Sequence, residues 1–70
     1  MAADLPQFMV EMYTPGEIVD ARKPFGGQTA PEALQAAMAW IVDSEHHATN
    51  FRVVDFDGTI IIDELVADLR

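Results

Sequence analysis

Apolar and polar residues alternate near the start of the chain. Between Gln7 and Tyr13, every second position is apolar: Phe8, Val10 and Met12. Successive side chains of a strand point to opposite faces of its sheet, so this alternation predicts a strand over 7–13. We expect Phe8, Val10 and Met12 to face the core. Residues 1–6 lack such a pattern and are expected to form a flexible N-terminal tail.

A turn and a second short apolar run follow this strand. Thr14-Pro15-Gly16 is typical of a turn, because proline fixes one backbone angle and glycine accepts positive φ. The run Glu17–Ala21 comes directly after it, so the two runs predict a β-hairpin. The next segment, Arg22–Gln28, contains a proline and two adjacent glycines and is predicted to be a loop.

A helix is predicted after this loop. Thr29 and Glu32 have the spacing of a capping box, in which both side chains satisfy free backbone N–H groups of the first turn. The helix is expected to continue to about His46. Apolar residues at helical spacing predict the stripe that faces the sheet: Leu34, Ala37, Met38 and Ile41.

A neighbouring arc of the same helix is also apolar and contains Ala33, Ala36 and Trp40. Packing against one sheet requires a narrower stripe than the two arcs together provide. Trp40 can therefore cover the sheet edge or the segment around Phe25. Alternatively, the arc forms a self-association surface.

A second hairpin is predicted between Phe51 and Asp63. Two β-rich runs flank Asp57-Gly58, the dipeptide that suits a two-residue type I′ turn. Such a turn sets the register: Phe56 faces Thr59, Val54 faces Ile61, Arg52 faces Asp63, Asp55 faces Ile60 and Val53 faces Ile62.

In that register both faces of the second hairpin are largely apolar. One face is expected to lie under the helix. The other needs a cover, either the segment Glu64–Leu69 or another subunit. Phe56 and Ile61 are the candidate contact residues on this face.

The element order, strand-strand-helix-strand-strand, predicts an α+β fold. We expect a small antiparallel sheet of three to four strands with one amphipathic helix packed on a face, and a possible short C-terminal helix after residue 64. The 70 residues are enough for a single compact domain.

Charge narrows the range of partners. The chain has 12 acidic and 4 basic residues and a formal net charge of -8, which disfavours binding to nucleic acid and to anionic membranes. No apolar stretch is long enough to span a bilayer, and cysteine is absent, so disulfides and thiolate zinc sites are excluded. We expect a cytoplasmic protein without a cofactor.

The acidic turn provides a second candidate site. Asp55, Asp57 and Glu64 have the spacing of the third, fifth and twelfth positions of an EF-hand loop, with Gly58 at its sharp turn. This segment is therefore similar to the second part of an EF-hand calcium loop. The resemblance implies a weak divalent-cation site, although Val53 occupies the first ligand position.

Residues 53–60 also resemble the opening motif of the haloacid dehalogenase superfamily of phosphatases, an apolar strand followed by Asp-x-Asp-Gly-Thr. The resemblance implies that Asp55 is a nucleophile and Asp57 a general acid/base. The lysine that this family needs downstream is missing. We therefore expect a hairpin at this position.

The sequence as a whole predicts a small non-catalytic interaction or accessory protein. Ser44, the only serine, has no visible activating base. The excess of apolar residues predicts a homo-oligomer or a protein partner, and the acidic turn leaves a cation-binding module as the alternative. The expected interaction residues are Ala33, Ala36, Trp40, Phe56 and Ile61.

Overall fold

A computed structural model describes residues 7–16, 19–43 and 47–69. It contains an antiparallel sheet, one α-helix and a terminal 3₁₀ helix. In chain order these are β1 (Gln7–Tyr13), β2 (Ala21–Gly26), α1 (Ala30–Val42), β3 (Asn50–Val54), β4 (Ile60–Leu65) and the 3₁₀ helix (Val66–Leu69). The strands are ordered β2-β1-β3-β4. The predicted α+β fold is confirmed.

The core lies between α1 and one face of the sheet. Phe8, Val10 and Met12 of β1 are buried there, as predicted, together with Phe51 and Val53 of β3. From α1, the buried residues are Ala30, Ala33, Ala37 and Ile41. Of the predicted helical stripe, Leu34 and Met38 are only half-buried.

The predicted start of α1 is confirmed. The Thr29 hydroxyl accepts a hydrogen bond from the Glu32 backbone N–H at 3.4 Å, which satisfies one of the free donors of the first turn. The helix ends at Val42, earlier than expected; Asp43 is its C-cap residue, and the Asp43 N–H donates to the Ala39 carbonyl at 2.8 Å. His46, where the end was predicted, lies outside the described residues.

The second strand begins later than predicted. Within the predicted strand 17–21, only Ala21 belongs to β2, and residues 17 and 18 lie outside the described part of the chain. The segment predicted to be a loop, Arg22–Gln28, supplies most of the strand. Proline is tolerated here because β2 is an edge strand, where a missing N–H need not cost a ladder hydrogen bond.

Gly27 allows the chain to pass close to the start of α1. A Cβ atom at this position would lie 2.8 Å from the Ala33 backbone nitrogen and 3.1 Å from the Cβ of Glu32. Only glycine fits there without displacing backbone. The close approach brings α1 onto the sheet directly after β2.

The hairpin of β3 and β4 is confirmed, but its turn differs from the prediction. Asp55 and Thr59 flank a three-residue loop, and the Gly58 N–H donates to the Asp55 carbonyl at 3.0 Å. Gly58 has a φ of 86°, whereas no described non-glycine residue has positive φ. A type I′ turn needs positive φ at both central residues, so the predicted turn is wrong.

A β-bulge compensates for this longer loop. Val54 pairs with Ile60 instead of Ile61, and the register shifts between Val53 and Val54. Beyond the bulge, Val53 pairs with Ile62 and Arg52 with Asp63, as predicted. One extra residue on β4 therefore restores the expected register while changing which isoleucine lies beside Val54.

The 3₁₀ helix packs on the α1 side of the sheet. Val66 is buried in the core, and its N–H donates to the Thr49 carbonyl at 2.9 Å. The short C-terminal helix predicted after residue 64 is thus present as Val66–Leu69. The segment Glu64–Leu69 was one of the two covers expected for the other face of the hairpin. The 3₁₀ helix does not cover that face.

Candidate interaction surface

The sheet has an open face on the side opposite α1. Both helices lie against the other side, and within the described ranges no element packs on this one. The strand register identifies the side chains of the open face. They are Arg22 and Pro24 of β2; Gln7, Met9, Glu11 and Tyr13 of β1; Asn50, Arg52 and Val54 of β3; and Ile60, Asp63 and Leu65 of β4.

Exposed apolar side chains are concentrated on the second hairpin. Phe56 is 83% exposed, Ile60 50%, Ile61 47% and Leu65 49%. These are the large apolar side chains that are exposed among the described residues. Phe56 is at the tip of the hairpin and the others follow along β4. The predicted contact residues Phe56 and Ile61 are therefore accessible.

Glu11 lies at the centre of the open face and interacts with two arginines. The Arg52 Nε atom donates a hydrogen bond to Glu11 Oε1 at 2.6 Å, and Arg22 Nη1 lies 3.8 Å from Glu11 Oε2. The Glu11 side chain is 13% exposed and that of Arg52 27%, whereas Arg22 is 67% exposed. The Glu11–Arg52 pair is thus the better shielded of the two.

Tyr13 and Asp63 extend this polar network to β4. The Tyr13 hydroxyl donates a hydrogen bond to Asp63 Oδ1, and the Arg52 guanidinium lies 4.7 Å from the centre of the Tyr13 ring. The hydrogen bond to Asp63 raises the pKa of Tyr13 above its usual value of 10.0, and desolvation adds to the effect.

A shallow depression of about 310 Å³ lies at the loop end of the open face. Its lining is mainly apolar: Gln7, Phe8, Met9, Pro24, Asp55, Phe56 and Gly58. The only carboxylate in it, Asp55, already accepts hydrogen bonds from the backbone N–H groups of Asp57 and Thr59, at 2.8 and 3.0 Å. The depression therefore offers apolar contact area, with its carboxylate engaged by the loop.

The helical arc predicted as an interaction surface is divided by the fold. Ala33 is fully buried, and Ala36 is exposed. Trp40 is half-buried, and its ring lies 5.6 Å from that of Phe25 at the edge of the sheet. Of the two alternatives for Trp40, this contact corresponds to the one in which Trp40 covers the segment around Phe25. Ala33 contributes no exposed surface to the arc.

The carboxylates of the predicted cation site do not converge. Asp55 and Asp57 lie in the hairpin loop, but Glu64 pairs with Phe51 towards the far end of β4. The part of the chain that the structure describes contains no group of three or more histidine and acidic side chains that could hold a metal ion. The three residues with EF-hand spacing therefore lie in a β-hairpin, two in its loop and one in β4.

Sequence reasoning predicted that Arg52 faces Asp63, but it missed the contacts of these residues with β1 and two of the exposed apolar residues. The proline and the paired glycines predict a loop at Arg22, whereas the residue lies in β2, directly opposite Glu11. Ile60 and Leu65 were not among the predicted contact residues, because the β-bulge that places Ile60 beside Val54 leaves no clear sequence signal. The one sequence signal for the charged network is Glu11, a charged residue within the mainly apolar β1.

Among the described residues, no helix has the length and apolar character needed to cross a membrane. Comparison of the chain with protein-family models, with curated proteins and with solved structures gave no match.

Proposed function

We propose that this chain is a small non-catalytic interaction protein that self-associates through the open face and the adjacent tip of the second hairpin. The observation that carries the proposal is the clustering of exposed apolar side chains on one hairpin, next to a sheet face without a packed layer. A domain this small gains stability from covering such a surface.

The distribution of polar groups on the open face favours a role as a contact surface and not as an active site. Glu11 is occupied by two arginines, Asp63 by Tyr13, and Asp55 by two backbone N–H groups. The described residues leave no buried side-chain polar atom without a hydrogen-bond partner. Groups that are already engaged in this way stiffen a surface, whereas an active site needs polar groups aimed at a substrate.

Self-association is tested by measuring molecular mass in solution over a dilution series, by sedimentation or light scattering. The wild type is compared with Ile60→Glu on the open face and with Ala36→Glu on the exposed side of α1. Both substitutions introduce the same side chain and the same charge at an exposed position. We expect concentration-dependent association of the wild type that Ile60→Glu abolishes and Ala36→Glu retains.

Three outcomes contradict the proposal. A wild type that is monomeric across the whole range removes self-association. Loss of association in Ala36→Glu alone moves the contact to the helix. Equal loss in both variants indicates general charge repulsion. Circular dichroism verifies the fold, and the milder Ile60→Thr keeps the test valid if glutamate unfolds β4.

A further inference from the structure

The register of the sheet aligns four charged side chains in one row of the open face. Across β2, β1, β3 and β4, directly paired positions carry a positive, a negative, a positive and a negative side chain. In that order they are Arg22, Glu11, Arg52 and Asp63. The row spans the whole sheet, alternates in sign at every strand and has no net charge.

A parallel apolar row lies about 7 Å away, two residues along β2, β1 and β3 and three residues along β4, where the bulge adds one. It runs in the same strand order and consists of Pro24, Met9, Val54 and Ile60. Phe56 projects beyond this row, at the same end of the sheet. The open face therefore has one charged stripe and one apolar stripe, both perpendicular to the strands.

These stripes distinguish between the two ways in which two copies can pack face to face with two-fold symmetry. An axis parallel to the strands keeps each stripe opposite itself and reverses the strand order. Arg22 then faces Asp63 of the partner subunit, and Glu11 faces Arg52 of the partner subunit. Every contact along the charged stripe is between opposite signs.

An axis perpendicular to the strands gives the opposite result. It keeps the strand order, so that centring it on the charged stripe would place each charge against its own copy. Moving the axis towards the hairpin loop would place charges against the apolar stripe, where they would be desolvated without a partner. Moving it the other way would place Glu11, Arg52 and Asp63 against the uncharged Tyr13, Asn50 and Leu65 of the partner subunit. Most homodimers are two-fold symmetric, so these are the relevant alternatives.

We propose that the open face binds a second copy of this chain about a two-fold axis parallel to the strands and located between β1 and β3. This inference rests on the proposed self-association and specifies its geometry. The apolar stripes meet, with Met9 against Val54 of the partner subunit. Packed sheets cross at about 30°, an offset that the long Arg22 side chain can span.

A charge exchange between subunits tests this geometry. In Arg22→Glu, glutamate would face Asp63 of the partner subunit; in Asp63→Arg, arginine would face Arg22 of the partner subunit. Each like-charged contact occurs twice by symmetry, so each variant alone should associate at least about tenfold more weakly than the wild type. Mixed one to one, the variants form a heterodimer with only opposite charges in contact. Its affinity should return to about the wild-type value.

The matched control is a mixture of Lys23→Glu with Asp68→Arg. These variants have the same net charges as the first pair, but both positions lie off the open face. Their mixture controls for attraction between unequal net charges. For each mixture, the gain is the increase in affinity over that of its two variants measured separately. The proposal requires a larger gain for the mixture of Arg22→Glu with Asp63→Arg than for the control mixture.

Two results overturn the geometry: an equal gain in both mixtures, or association of the separate Arg22→Glu and Asp63→Arg variants as strong as that of the wild type. If Ile60→Glu still abolishes association, self-association through the open face stands and only the axis is wrong. If the wild type is a monomer, the proposed function has failed first. Should Arg22→Glu unfold, Arg22→Gln must still weaken the dimer.

Discussion

The Tyr13 hydroxyl donates a hydrogen bond to the Asp63 carboxylate, joining β1 to β4 across the strand between them. The side chain of that intervening strand, Arg52, lies over the Tyr13 ring. The contact therefore connects strands that share no backbone hydrogen bonds. Asp63 is the last residue of the charged stripe, so ionisation of Tyr13 reports on this end of the stripe.

Tyr13 should ionise at a pH above its usual pKa of 10.0, because the bond to Asp63 holds the protonated form. The chain has a single tyrosine, so ultraviolet absorbance of tyrosinate reports this group alone. Asp63→Ala should lower the pKa of Tyr13 towards its usual value, since both the hydrogen-bond acceptor and the carboxylate charge are lost. An unchanged titration in Asp63→Ala would show that Asp63 does not cause the shift.

The same contact predicts how stability depends on pH. A pKa raised by folding means that the contribution of Tyr13 is fully present below pH 10 and is lost as pH rises through the folded-state pKa. Thermal unfolding of the wild type and of Tyr13→Phe should thus converge in strongly alkaline solution. A difference in unfolding free energy that stays constant across this range would contradict the prediction.

The two arginines beside Glu11 should differ in their energetic coupling to it. Arg52 is mostly shielded and hydrogen-bonded at 2.6 Å, so its coupling with Glu11 should be about 1.5–3 kcal/mol. Arg22 is exposed and 3.8 Å away, so its coupling should be about 0–1 kcal/mol. Double-mutant cycles with Glu11→Gln, Arg52→Gln and Arg22→Gln, monitored by denaturant unfolding, measure both. Equal couplings would show that burial does not distinguish the pairs.

Local patterns were sufficient to predict the elements whose signals are local. The alternation around Val10 predicted β1, and the capping residues at Thr29 predicted the start of α1. The pattern failed for β2, because Pro24 and Gly26 favour a loop unless the strand lies at a sheet edge, and edge position is a property of the tertiary fold.

The candidate surface was only partly predictable for the same reason. Phe56 was identified from the apolar face of the predicted hairpin, and it is the most exposed of the large apolar side chains described. The charged stripe depends on β3 lying beside β1, which brings Arg52 to Glu11 from 41 positions away in sequence. No periodicity within either strand encodes that neighbour.

Gly27 should not tolerate a side chain. Gly27→Ala would place a methyl group 2.8 Å from the Ala33 backbone nitrogen, and relieving that contact requires α1 to move away from the sheet. We expect a loss of about 1–3 kcal/mol in unfolding free energy. Gln28→Ala, at the exposed neighbouring position, is the control and should change stability by less than about 0.5 kcal/mol. Equal effects would indicate that the helix accommodates the methyl group.

The hairpin loop should depend on the Asp55 carboxylate as a hydrogen-bond acceptor and not on its charge. Asp55 Oδ1 accepts from two backbone N–H groups, so Asp55→Ala should cost about 1 kcal/mol, whereas Asp55→Asn retains an acceptor and most of the stability. Urea unfolding of the three proteins measures the difference. If asparagine were as damaging as alanine, the charge itself would be required.

Calcium titration of the wild type, followed by amide NMR, should give no saturable change shared by Asp55, Asp57 and Glu64. The Asp55 carboxylate is engaged by its own loop. Asp55 lies at the loop end of β4, hydrogen-bonded to Thr59. Glu64 lies four residues beyond Ile60, the first residue of β4, which is about 13 Å along a strand. The carboxylates of Asp55 and Glu64 are therefore too far apart to bind the same ion. Asp57→Asn is the control for weak, non-specific attraction of cations to the acidic turn. Saturable shifts at all three residues, lost in Asp57→Asn, would instead establish the cation site that the sequence spacing implies.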